Sequence, residues 1–265
     1  MVWNVDPEMF QLGPLTIRWY GFFFAMGFVI GFHIEKWIFR REGVDVRKLD
    51  NLLTLLVLGT IIGARLGHCL LYEPEIYLRD PVRILKVWEG GLASHGGVVG
   101  VVIAIYVAVR ILKLPSFLWT LDRIAVPTAL ASALIRIGNF FNSEILGHPT
   151  QIPWAIQFAK VDMIPRHPAQ LYESFCNLIC FFVLLSLYKK EKYRNAPGFL
   201  TGVLLVFIFT MRFFIEFFKE NQVDFEASMT FDMGQLLSIP VVLVGLGLIY
   251  RSLALTSSRQ LNSAN

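Results

Sequence analysis

The sequence predicts an all-α polytopic membrane protein: seven transmembrane helices with a small extramembrane cap containing short strands. Three observations predict it. Of the 265 residues, 55% are hydrophobic and 17% charged, and the mean hydropathy of +0.57 is far above that of a water-soluble domain. The apolar residues fall in long blocks, and a bilayer core of about 30 Å needs about 20 of them per helix. Lysine and arginine collect in every second connection between the blocks, as the charge rule of membrane topology requires.

The blocks cover residues 15–38, 52–72, 91–112, 124–141, 169–188, 198–218 and 233–250. The first is no cleavable signal peptide: it is too long for an h-region, and Asp6 and Glu8 stand where a basic n-region would. The second and third carry Gly59, Gly63, Gly67, Gly96 and Gly100 at intervals of four. Small residues so spaced let helix backbones approach closely. For Gly96 and Gly97, which follow His95, room for a bulky ligand is a second reading. Between these blocks, residues 73–90 mix Pro74, Pro81, Trp88 and charges, as an interfacial helix or loop would. The fourth block is the shortest and is interrupted by polar residues. It leads into 142–168, where four prolines surround the β-like run 154–158, and this reads as a small ordered cap of strand and turn. Cys69, Cys176 and Cys180 lie within spans without metal-type spacing to histidine and read as buried, inert thiols. The polar tail, 251–265, reads as disordered.

Arg40, Arg41, Arg47 and Lys48 follow the first block, Arg110, Lys113 and Arg123 the third, and Lys189, Lys190, Lys192 and Arg194 the fifth. Arg251 and Arg259 follow the last. The alternate connections are mixed or acidic, as in Lys219, Glu220, Asp224, Glu226 and Asp232. Positive-inside counting places the N-terminus outside and the C-terminus in the cytoplasm, in one integral membrane domain over 1–265. The net charge of +4 thus sets topology, and no nucleic-acid partner is expected.

Arginine inside lipid costs roughly 2.5–3.5 kcal/mol on insertion scales and is there for function. The fourth block ends in Arg136-Ile-Gly-Asn139-Phe-Phe-Asn142-Ser-Glu144-Ile-Leu-Gly147. Arg212 and Glu216 share a face of the sixth, four residues apart. A salt bridge between these two is one account of them. By the topology above, His95, Arg136, Arg212 and Glu144 are expected at one depth near the outer surface. Arginine offers a planar fork suited to phosphate, imidazole accepts a proton near neutral pH, and a carboxylate orients either. These groups suggest phospholipid binding with acid–base chemistry at the outer leaflet. The rival class is a transporter, but no internal repeat is visible and the charges inside spans gather toward one side.

The run from Arg136 to Gly147 resembles the signature of prolipoprotein diacylglyceryl transferases. Supporting matches follow in order: Ile17-Arg-Trp-Tyr20-Gly21, Gly63-Ala-Arg65, His95-Gly96-Gly97-Val-Val-Gly100, His167-Pro-Ala-Gln170-Leu-Tyr172-Glu173, Arg212-Phe-Phe-Ile-Glu216 and Met233-Gly-Gln-Leu-Leu-Ser238. The resemblance implies transfer of the diacylglyceryl group of phosphatidylglycerol to the thiol of a lipobox cysteine in a prolipoprotein signal peptide. A thioether forms and glycerol 1-phosphate leaves, as the first step of bacterial lipoprotein maturation, at the periplasmic face of the inner membrane. It implies catalytic roles for His95 (the base), Arg212, Glu144 and Tyr20. Arg136, Asn139, Asn142, Gly147, Glu216 and Arg65 would bind phosphatidylglycerol. Gly96, Gly97, His167, Gln170, Tyr172 and Glu173 would support the site or touch substrate. No cofactor or metal is expected. Lys219 departs from the pattern, where an arginine is expected.

Overall fold

The computed structural model describes residues 1–13, 15–86, 91, 93–220 and 231–264. Trp88, Asp224 and Glu226 lie outside them. Six helices are long and apolar enough to cross a membrane. They are α1 (Trp19–Arg41), α2 (Arg47–Gly67, prolonged by a π-helical turn His68–Tyr72), α5 (Phe117–Phe141), α6 (Ala169–Lys189), α8 (Phe199–Glu216) and α9 (Met233–Ala264). The expected third span falls on α4 (Ser94–Ile111), whose apolar stretch His95–Ile111 is shorter. The segment after the π-helical turn forms α3 (Pro74–Arg79) and a 3-10 turn, Pro81–Leu85, while Glu191–Arg194 makes the short α7.

Several expected boundaries move, the second helix starting at Arg47 rather than at residue 52, and three of the shifts have a local reason. Leu15–Arg18 is a strand (β3) paired antiparallel with β2 (Glu8–Leu12), so the first helix starts at Trp19 rather than at residue 15. Hydropathy alone counts Leu15 and Ile17 as span, whereas their alternation with Thr16 and Arg18 has the period of a strand. The fourth span begins seven residues earlier than expected, at Phe117, because Asp122 and Arg123 are buried polar groups with partners inside the protein. The tail expected to be disordered continues α9 to Ala264, and it holds neither proline nor glycine to stop a helix.

The chain forms two compact units, Met1–Glu35 with Asp122–Asn265, and Lys36–Leu121. In the second unit α2 and α4 pack backbone to backbone along their glycines. A Cβ on Gly67 would lie 2.7 Å from Gly96 Cα, and one on Gly59 2.6 Å from the Ala104 Cβ. Cβ atoms on Gly63, Gly96 or Gly100 would overlap carbonyl oxygens of the facing helix. Without a hydrophobic drive between helices in lipid, this approach supplies the van der Waals contact that holds them. Trp119 donates from Nε1 to Glu42 at 2.8 Å and packs against Phe39, fastening the other end of the unit.

In the first unit α8 lacks a capping side chain of its own, since its N-cap is Gly198. Asp122 replaces it, accepting from the Gly198 and Thr201 main-chain N–H groups at 2.7 and 2.8 Å and from the Thr201 hydroxyl. These are the orphan donors that every helix start leaves. Ser174 donates to the Ala133 carbonyl and ties α6 to α5. Three strands, β1 (Val2–Trp3), β4 (Ile156–Phe158) and β5 (Pro165–Arg166), form a sheet in the order β1–β4–β5. β1 runs parallel to β4, with Trp3 opposite Phe158, and Trp3 packs on Phe140, 4.4 Å between ring centroids. Of the β-like run expected at 154–158, Ile156–Phe158 is a strand, completed by an N-terminal partner that local patterning did not announce. Cys180 is buried and Cys176 partly so, both as free thiols.

Candidate active site

The signature run begins on the last turns of α5 and leaves them abruptly. Ser143 and Ile145 have φ of 55° and 57°, left-handed values unusual for side-chain-bearing residues. Glu144 lies between them, its N–H donating to the Asn139 carbonyl. This reversal folds the Glu144 carboxylate back beneath the helix end. Asn139 Nδ2 reaches one of its oxygens at 3.3 Å and Asn142 Nδ2 the other at 3.0 Å. Arg136, one turn back, donates to Asn139 Oδ1 at 3.4 Å and places Nε 2.9 Å from Glu173 of α6. Arg136, Asn139, Asn142 and Glu144 thus form one connected network.

Glycines in the run make close approaches. A Cβ on Gly138 would lie 3.1 Å from Tyr20 Cα, so this is where α1 crosses α5 and where Tyr20 is held against the signature helix. A Cβ on Gly147 would lie 2.6 Å from His167 Cβ and 2.7 Å from the Phe218 carbonyl oxygen. The segment around Gly147 is zipped to the end of α8: His148 N–H donates to Phe218 O and Glu220 N–H to Leu146 O.

The sixth span departs from the simplest expectation. Glu216 does not pair with Arg212; it accepts from Lys219 Nζ at 2.9 Å. Lys219 is buried, 4% exposed, and its ammonium also lies 3.6 Å from Glu173. Glu173 therefore stands between two cations, Arg136 and Lys219. Arg212 is partly buried and makes no hydrogen bond or ion pair among the described residues. Of the two arginines, one is tethered and the other is unengaged.

Around the network, Gln170 is fully buried and donates to the Glu144 carbonyl. Tyr172 accepts from Trp154 Nε1 at 2.8 Å and lies 3.2 Å from His167 Nδ1. Burial, with a smaller contribution from His148, pushes the His167 imidazole below its ordinary pKa. Arg166, just before that histidine, is buried and donates to Asp162, to Glu220 and to the Gly147 carbonyl. Sequence reading passed over Arg166 and left Lys219 without a role, since a charge in a connection looks like a solvated one. The one available signal was the position of each beside a family motif.

The remaining expected residues lie on the other unit. His95 is exposed on the first turn of α4. Gly96 is filled against α2, so packing explains it, while Gly97 is in ordinary contact with Thr60 and Ala64. Arg65, expected among the lipid-binding residues, is 2% exposed. Its guanidinium donates to the carbonyls of Arg83, Ile84 and Gly91 and lies over the Tyr77 ring at 5.0 Å. It holds the backbone that leads into α4.

A family model described as prolipoprotein diacylglyceryl transferase matches residues 7–251. The chain is 48% identical over 252 residues to a Tolumonas auensis protein named phosphatidylglycerol–prolipoprotein diacylglyceryl transferase, covering 95% of this chain and 97% of the relative. A Chloroherpeton thalassium protein of the same name is 47% identical over 250 residues, covering 94% and 93%. One from Porphyromonas gingivalis is 43% identical over 267 residues, covering 95% and 94%.

Proposed function

The chain belongs to the prolipoprotein diacylglyceryl transferase family, and from that premise we propose how its residues carry the reaction. The enzyme moves the diacylglyceryl group of phosphatidylglycerol onto a prolipoprotein thiol, the first step of lipoprotein maturation. The sulfur–carbon bond of a thioether forms, the glyceryl carbon–oxygen bond breaks, and glycerol 1-phosphate leaves with the bonding pair. The acceptor is the lipobox cysteine of the signal peptide.

The observation that carries the residue assignment is the contrast between the two arginines. Arg136 is fixed by Glu173 and Asn139, while Arg212 is left without a partner among the described residues. We assign the phosphate to both. A preorganised guanidinium needs no rearrangement as charge develops on the leaving phosphate, and an unengaged one gains most from it. Glu144 orients the signature asparagines, Glu216 and Lys219 brace Glu173, and Tyr20 anchors the headgroup. Arg65 acts as a positioning residue for the start of α4.

A cysteine thiol has a pKa near 8.5, so a base that raises its thiolate fraction assists attack. The assignment of that base to His95 rests on its imidazole and on its motif. With α4 as the third span the membrane is crossed seven times, the segment 142–168 forms a periplasmic cap, the N-terminus lies outside and the C-terminus in the cytoplasm of the inner membrane. The purified protein, incubated with phosphatidylglycerol and a lipobox peptide, is expected to yield a peptide heavier by one diacylglyceryl group in mass spectrometry. An unmodified peptide, with folded protein, would overturn the reading.

A further inference from the structure

Two buried amide oxygens beside the signature network have no donor: Asn142 Oδ1 and Gln170 Oε1. Both amides are oriented by the same residue. Asn142 Nδ2 donates to the Glu144 carboxylate at 3.0 Å, and Gln170 Nε2 donates to the Glu144 carbonyl. Turning either amide over would set oxygen against oxygen, so each must present its oxygen to what comes next. Gln170 is 0% exposed, on the first turn of α6. A buried acceptor left dry costs more than an ordinary hydrogen bond gains, and native structures rarely keep one without a use.

We propose that Asn142 and Gln170 form a hydroxyl-accepting subsite that reads the glycerol headgroup of phosphatidylglycerol, and that they set which headgroup the enzyme takes. This rests on the transferase reading above. The subsite supplies acceptors, so its ligand must supply donors. The glycerol headgroup carries two hydroxyls, joined to the phosphate through a single ester oxygen. Glu144, which aims both amides, is also bonded to Asn139, and Asn139 to Arg136. The hydroxyl acceptors and the phosphate-binding guanidinium are therefore parts of one network, as phosphate and diol are parts of one headgroup. A choline headgroup has no donor to offer. Backbone N–H groups of the acceptor peptide are donors too, but they carry no phosphate to place them beside Arg136.

The test compares phosphatidylglycerol with phosphatidylpropanol, which keeps the phosphodiester and lacks both hydroxyls, at a fixed concentration of lipobox peptide. The natural protein is expected to prefer phosphatidylglycerol in kcat/KM by about 10- to 100-fold, the worth of two buried hydrogen bonds. Gln170→Met removes one acceptor at similar volume. It is expected to shrink that preference about tenfold, chiefly through the rate with phosphatidylglycerol. Equal turnover of the two lipids by the natural protein overturns the proposal without any variant. An equal loss on both lipids in Gln170→Met makes the residue structural and also overturns it. So does a change confined to the KM for peptide, which would assign the acceptors to the peptide backbone. Failure of the natural protein to modify the peptide with phosphatidylglycerol would instead sink the underlying reading.

Discussion

Glu216 is bonded to Lys219 at 2.9 Å and not to Arg212, which lies one helical turn before it on α8. The carboxylate that helical spacing offers to the arginine is taken by a lysine just beyond the helix end. Arg212 is left without a hydrogen-bond or ion-pair partner among the described residues. Exchanging the two charges, Arg212→Glu with Glu216→Arg, should therefore restore none of the activity lost in each single variant. Substantial recovery in the diacylglyceryl transfer assay would reduce the pair to scaffolding.

Lys219 is the only cation that Glu173 and Glu216 share among the described residues, 3.6 and 2.9 Å away. Lys219→Met would leave two carboxylates buried together, and breaking such a pair typically costs about 3–5 kcal/mol. We expect a clear fall in Tm and loss of activity, with both largely recovered in Lys219→Arg. Unchanged Tm in Lys219→Met would show that the network carries no strain from the missing charge.

Arg136→Lys is expected to lower turnover about 10²–10³-fold while the protein stays folded, since lysine keeps the charge but not the planar two-pronged donation. His95→Gln provides the contrast. If it removes only a base, rate should return as pH rises toward the thiol's own pKa, whereas Arg136→Lys should stay inactive. Rates from pH 6 to 9.5 separate the two; a flat profile for His95→Gln would remove His95 from the role of base.

The proposed orientation rests on the alternating basic loops. A reporter active only outside the cytoplasm should work when fused within 150–164 and fail within 190–194. The opposite pattern would move the cap to the other side of the membrane.

The β1–β4–β5 sheet should also have an acid-sensitive clasp. Arg166 donates to Asp162 at 2.7 Å, and this hydrogen bond holds the Asp162 carboxyl below the ordinary value of 3.8. A depressed folded-state pKa contributes stability above the ordinary value, and that contribution is lost as pH falls through the folded one. Asp162→Asn should lower Tm by about 2–4 °C at pH 7. The difference from the natural protein should close as pH drops below 3.8. A difference that persists unchanged in acid would assign the effect to packing.

Much of the membrane architecture was legible in the chain because it depends on runs of residues. Hydropathy over about 20 positions located six helices and the shorter α4, and the glycines at intervals of four marked the α2–α4 seam. Where hydropathy erred, at Leu15–Arg18, it ignored a period-two alternation that was also present in the sequence. The signature run was legible as chemistry: one arginine, two asparagines and a glutamate within nine residues do form one network.

By itself the sequence determined the class of protein, the six long apolar helices, the family and the list of polar groups, since these are set by local composition and by the order of short motifs. The tertiary structure alone decided the partners. Lys219 meets Glu173 from 46 positions away, and Val2 and Trp3 pair with Gln157 and Phe158 across more than half of the chain. A helix face brings together residues three and four apart, so spacing favoured Arg212 and Glu216 equally as partners or as neighbours. The choice went to Lys219 because a buried carboxylate takes whichever cation the packing of α6 against the end of α8 delivers with it, and that packing is not written in either segment alone.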